Sequence, residues 1–210
     1  MMTAMKDTSM NTNLHAAFLR EIARLRKATT AIDLSDAAAR DGLARRYAFF
    51  SAALHHHHEG EDSYLWEKVR PSATPAEITI LDEMESEHGA LAAALEPLDQ
   101  QFATLSADAD AAAIAAQFDA LVAVLEPHCA HEEAEGIQIV QKYLSADDMK
   151  AFMEFNRNAA NASLVLPWVC DGASAEVSAQ TWGVMPTPVR MMVKPMLTRK
   201  YAKFTKECGV

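Results

Sequence analysis

Between Leu54 and Asp62 the chain places four consecutive histidines and then Glu59, Glu61 and Asp62, inside a run that is otherwise apolar (FFSAALHHHHEGEDSYLW). Neutral imidazole and carboxylate are the ordinary ligands of transition-metal cations. Three readings compete: a purification-tag scar, a solvated polar patch and a metal site. A tag sits at a terminus among flexible residues, whereas this run lies mid-chain between apolar partners. A second string of the same kind, HCAHEEAEG, begins at His128.

Alternating steps of three and four residues trace the apolar seam of an amphipathic helix. One seam runs Leu43, Tyr47, Phe50, Leu54, His57, Glu61, Leu65. Another runs Ile114, Phe118, Leu121, Leu125, His128, Glu132 and, two steps on, Ile139. A third is Ile78, Leu81, Met84, His88, Leu91, Leu95, Leu98, and in a fourth His15 steps to Phe18, Ile22 and Leu25. Each seam thus aims a histidine at the core, and two add a glutamate one turn later. The set also repeats: His15 and His88 are 73 positions apart, while His57 and His128, like Glu61 and Glu132, are 71 apart. Two helical hairpins that each deliver a histidine and then HxxxE make a six-ligand pocket, and its two-fold character suits a pair of ions.

A buried carboxylate without a partner costs several kcal/mol, and unpaired imidazoles add to that. Two glutamates and four histidines on core faces are a heavy load for a marginally stable fold, and bound cations remove it. Successive helical residues lie about 100° apart, so the tetrad cannot all face inward. His55 and His56 flank the core or meet solvent. His58 lies at the edge of the seam as a seventh candidate ligand, and His131 holds a similar marginal place beside His128.

Four helices must position these residues. Asn11 and Thr12 are cap candidates for a first helix ending near Thr30. A second runs from about Ser35 to Val69, stopping before Pro71. TPAE (Thr74 to Glu77) opens a third, lasting to about Phe102 with Pro97 as a kink or early stop. SADAD (Ser106 to Asp110) opens a fourth that ends near Leu144. Short linkers make successive helices antiparallel neighbours. The expectation is an all-α, up-down-up-down four-helix bundle over residues 1–145. Residues 146–210 form a C-terminal helical extension packed on it, with Pro195 interrupting the last helix.

The bulk numbers agree with this. Half of the 210 residues are hydrophobic, with only seven Gly and eight Pro, which favours helices. A net charge of −10 argues against nucleic-acid binding. Three dispersed cysteines without a CxxC, no apolar leader in MMTAMKDTSMNTN and no membrane-length apolar run predict a soluble cytoplasmic protein without a membrane partner.

At these residues the chain resembles the hemerythrin-like HHE cation-binding family, over about residues 11–144. The match is a histidine in the first helix, HxxxE in the second, a histidine in the third and HxxxE in the fourth; LHHHHEGEDSYLW and HCAHEEAEG are similar to strings of bacterial members. The resemblance implies two non-haem iron ions, bridged by an oxo or hydroxo group and by Glu61 and Glu132. His15, His57, His88 and His128 are the terminal ligands it implies, with zinc and manganese ranking below iron. Oxygen-carrying hemerythrins use a further histidine one turn before the third-helix ligand, where this chain has Met84. The ligand set is thinner unless His58 or Glu85 fills the gap, which favours redox reactivity over reversible carriage.

The function implied is binding or reducing a small oxidant such as O2, NO or peroxide. It is either a carrier or sensor, or a di-iron oxidoreductase; iron storage, delivery or iron-centre repair is the alternative. Phe18, Leu54 and Leu125 are expected to exclude water. No Ser/His/Asp triad or nucleotide-binding glycine loop competes. Cys129 reads as a small core filler, Trp168 and Trp182 as packing where the extension meets the bundle, and the basic tail as a solvated helix face.

Overall fold

A computed structural model describes residues 9–209, so most of the stretch read for a leader lies outside the described residues. Among these, every regular element is helical. The bundle comprises α1 (Ser9–Ala31), α2 (Ala37–Gly60, continuing as far as Val69), α3 (Pro75–Ala103) and α4 (Ala111–His131, continuing to Tyr143). α1 packs on α2 and α4, and α3 packs on the same two, which closes the up-down-up-down ring.

Side chains set the helix starts. Asp36 accepts from the Ala38 and Ala39 amides, and Asp110 from those of Ala112 and Ala113. Thr74 and Glu77 form the reciprocal capping box that TPAE predicts. Asn11 and Thr12 are not caps, because α1 begins before them at Ser9. Asn11 donates instead to Glu132 Oε1 across the bundle, at 3.0 Å. α3 runs through Pro97, which is exposed, so water can serve the carbonyl that loses its partner.

The extension forms α5 (Ala146–Arg157), α6 (Ala162–Cys170), α7 (Ala175–Gly183) and α8 (Thr187–Cys208). α8 continues past Pro195, contrary to expectation; the proline and Met191 one turn before it both face solvent. A buried ion pair ties the extension down. Arg46 on α2 donates to Glu21 on α1 and, at 3.3 Å, to Tyr201 on α8, while the Trp168 indole N–H reaches Glu21 Oε2 at 3.1 Å. Trp168 also packs edge-on against Phe18 and Phe49, the packing role read for it.

The α2–α8 crossing depends on Gly42, where an added Cβ comes 2.1 Å from the Cys208 carbonyl oxygen. Backbone cannot yield as a side chain can. Gly42→Ala is therefore expected to lower stability by about 2–3 kcal/mol, read as a drop in thermal midpoint.

The bundle interior is apolar at both ends and polar in between. Phe18, Leu25, Phe50, Leu95, Phe118 and Leu125 belong to the larger cluster. Trp66, Val69, Leu81, Met84 and Val140 belong to a smaller one at the other end. The residues between them in sequence on α2, α3 and α4 are the histidines and glutamates singled out above.

Candidate metal centre

All seven candidate ligands come to the bundle axis. α1 brings His15; α2 brings His57, His58 and, one turn on, Glu61; α3 brings His88; α4 and its continuation bring His128 and Glu132. Each is more than nine-tenths buried, and Glu132 is fully so. They form two groups, His15–His57–Glu132 and His58–His88–His128, and a third, His57–His58–Glu61, joins them. In each group the nearest ligand-type atoms lie within 4.8 Å of one another.

Glu61 occupies the middle. Its Oε1 is 3.4 Å from His57 Nε2 and its Oε2 is 3.7 Å from His88 Nε2. His15 Nε2 is 3.0 Å from Glu132 Oε2 and 3.2 Å from His57 Nε2. The His58 ring stacks on His88 at 4.4 Å between centroids, and His88 meets His128 at 4.7 Å. The Nε2 atoms of His58, His88 and His128 and Oε2 of Glu61 find no hydrogen-bond partner in the protein although all are buried. Orphaned buried polar atoms are rare and costly; here four of them converge.

Three of the histidines are oriented from behind. His15 Nδ1 meets Glu133 at 2.8 Å, His88 Nδ1 meets Asp62 at 2.7 Å, and His128 Nδ1 meets Glu87 at 2.9 Å. A carboxylate on Nδ1 places the proton there and turns the Nε2 lone pair inward, the arrangement that metal-ligating histidines use. The sequence reading missed these carboxylates. Their sequence neighbours do not signal this, because Asp62 meets His88, Glu133 meets His15 and Glu87 meets His128, each on another helix. Glu87→Ala is expected to weaken metal affinity about 10- to 100-fold while leaving the ligand count unchanged, measurable by competition with a chromogenic chelator.

The marginal positions are resolved by geometry. His58 points into the cluster. His131 turns outward, its Nδ1 on Glu87 at 2.8 Å and its ring partly exposed. His55 is exposed against Asp99, and His56 stacks on Phe155 of α5. Of the two candidates for the gap at Met84, Glu85 is tied to Arg70 at 2.6 Å on the surface, whereas His58 lies beside His88 and His128. Cys129 is buried next to His15 and belongs to none of the ligand groups.

Both HxxxE segments share one backbone device that the sequence reading did not anticipate. Immediately after His57-x-x-x-Glu61 the helix widens into a π turn, Glu61–Trp66, and after His128-x-x-x-Glu132 it does so again, Glu132–Gly136. Such turns insert a residue and cluster at functional sites. After each insertion two adjacent residues are buried, Leu65 with Trp66 and Ile139 with Val140. Gly136 keeps the second turn open, since a Cβ there meets Glu132 Cγ at 3.1 Å and the Trp66 ring at 3.5 Å.

The sequence model of the Hemerythrin HHE cation binding domain matches residues 10–138, the span that carries all seven side chains. The chain belongs to the hemerythrin HHE cation-binding domain family. No curated protein and no solved structure matches it closely enough to add to this. The HHE assignment makes it a metal-binding helical protein, and the convergence of buried lone pairs on the bundle axis fits that chemistry.

The electrostatics of these buried side chains show what a cation would relieve. Burial lowers the His57 pKa to about 3, helped by the other imidazoles, and it also lowers His58 and His128. Burial opposes charge on His15 too, but hydrogen bonds to Cys129, Glu132 and Glu133 outweigh it and raise its pKa to about 12. Glu61 is pushed well above the usual carboxylate range by burial and by the nearby Glu132 charge. At both His15 and Glu61 the raised pKa means that a cation competes with a proton for the ligating atom.

Proposed function

We propose that the seven side chains hold a pair of iron ions, and that the protein binds or reduces a small oxidant such as O2, NO or peroxide. The observation that supports this is Glu61, a buried carboxylate with one oxygen beside His57 and the other facing His88, between two groups of histidines. A single tetrahedral zinc uses four ligands and leaves this arrangement unexplained. Bound iron supplies the electrons that such an oxidant accepts.

The chain supplies the rest. His15, His57 and Glu132 would hold one ion and His58, His88 and His128 the other, with Glu61 placed within reach of both groups. Asp62, Glu87 and Glu133 fix the tautomers and raise the basicity of the imidazoles they touch. Phe18, Leu54 and Leu125 are at most 1 % exposed and exclude bulk water from the wall beneath, which admits small apolar gases in preference to charged solutes.

Metal analysis with an absorption spectrum of freshly purified protein tests the centre, with about two irons per chain expected, as two-metal sites require. One zinc per chain and no charge-transfer bands would overturn the proposal. Stopped-flow mixing of the reduced protein then separates roles: a long-lived O2 or NO adduct marks carriage or sensing, and rapid turnover of peroxide marks catalysis.

A further inference from the structure

The elbow between α7 and α8 has a surface unlike the rest of the molecule. From 177 to 206 the chain has six lysines and arginines and neither aspartate nor glutamate, in a protein of net charge −10. Elsewhere cations are commonly matched: Arg26 with Asp119, Arg70 with Asp82 and Glu85, Lys142 with Glu77. Among the described residues only Lys203 of these six meets a carboxylate, Glu207 at 3.7 Å. The same elbow exposes apolar side chains, with Met191 73 % and Met192 80 % open to solvent and Val189 and Met196 about half exposed.

Their arrangement on α8 is ordered. Leu197, Tyr201 and Cys208 are buried against the protein. On the far side, steps of three and four give Val189, Met192, Met196, Arg199, Lys203 and Lys206, every one exposed and all on one stripe. The stripe is apolar for its first turns and cationic thereafter. Beside its apolar end lies an open cleft of about 570 Å³ between α7 and α8, floored by Trp182 and flanked by Arg190 and Lys194. Arg190 reaches no acceptor nearer than Thr187 at 3.4 Å, and Lys194 lies over the Trp182 ring.

We propose that this elbow docks on an anionic phospholipid surface through the exposed α8 stripe, with Val189, Met192 and Met196 entering the headgroup layer and Arg199, Lys203 and Lys206 taking lipid phosphates. Exposed apolar area bordered by lysine and arginine is what an interfacial binding face requires. A lipid surface offers apolar depth and negative charge side by side, in the order the stripe presents them. A second copy fits poorly, because face-to-face stripes lay cations over cations or over methionines. Nucleic acid supplies the charge but gives the methionines nothing to enter. The acidic bundle, carrying most of the carboxylates, is then held away from the membrane by the same field. This inference stands apart from the metal centre and concerns a different face.

Sedimentation of the full-length protein with vesicles tests it, using phosphatidylcholine alone and a 7:3 mixture with phosphatidylglycerol. Binding to the anionic vesicles is expected to exceed that to neutral ones by about tenfold and to fall as salt rises. Arg199→Glu/Lys206→Glu and, separately, Met192→Ser/Met196→Ser are each expected to reduce it about tenfold, with unchanged helicity and thermal midpoint because all four side chains are exposed on the stripe. Equal binding to both vesicles, no binding, or binding indifferent to both variants overturns the proposal. So does concentration-dependent self-association that the methionine variant abolishes while lipid binding is absent.

Discussion

Replacing Glu61 with methionine is expected to remove most of the bound metal and, at the same time, to raise the melting temperature of the metal-free protein. The two effects have one cause. Glu61 is 1 % exposed, its Oε2 lacks a hydrogen-bond partner and its neighbours include a second carboxylate, Glu132. In the metal-free chain it is a buried polar group without full compensation, and apolar groups of similar volume at such positions stabilise by about 1–4 kcal/mol. With cations present, the same carboxylate is the piece that both histidine groups share. A residue kept only for packing behaves differently: its replacement by methionine leaves metal content alone. Metal analysis and paired melting curves, with and without chelator, decide between them. His57→Ala is the complementary case, expected to lower metal content and the melting temperature of the metal-loaded form together.

Stripping the metal from the native protein is expected to lower its melting temperature by about 10 °C. A ligand present at a thousand times its dissociation constant stabilises by about 4 kcal/mol, and each kcal/mol moves a chain of this size by about 2–4 °C. The effect has a defined pH dependence. His15 and Glu61 each have a pKa raised above the ordinary value, so each favours its protonated form more than a free side chain does. Ligation competes with those protons, so loading releases protons and apparent affinity falls as the solution is acidified. Proton uptake from a weakly buffered indicator solution as the metal is removed, corrected for the protons the chelator itself releases, measures the number directly. A metal site that releases no protons contradicts the assignment of His15 and Glu61 as ligands.

The periodic part of the molecule was legible from sequence because burial and helical geometry impose the same spacing. Leu54 to His57 to Glu61 and Leu125 to His128 to Glu132 follow one seam each, and both seams reach the bundle axis. What escaped has physical reasons. Leu65 is buried as the seam predicts, but Trp66 beside it is buried too, past a π turn that no simple spacing rule registers. His58 sits one residue from His57, so the ideal 100° step puts it at the margin; the fold brings both rings inside, with centroids 5.3 Å apart. Asp62, Glu87 and Glu133 were read past because each orients a histidine on a different helix, a relation that exists only after folding. Asn11 resembled a cap by type, yet its side chain is used across the bundle on Glu132.

The division of the interior has its own outcome for how the chain opens. Two oily compartments, one around Phe50 and Phe118 and the other around Trp66 and Leu81, meet through a slab of imidazole and carboxylate. Without cations that slab couples them weakly, because its members repel or lack partners. The compartment around Trp66 is the smaller and comprises the outer ends of α2 and α4 with the start of α3, so its amides should exchange with deuterium ahead of the rest when metal is absent. Loading the slab welds the halves into a single cooperative unit, and exchange at Val69 and Val140 should then slow to the pace of Leu25 and Leu95.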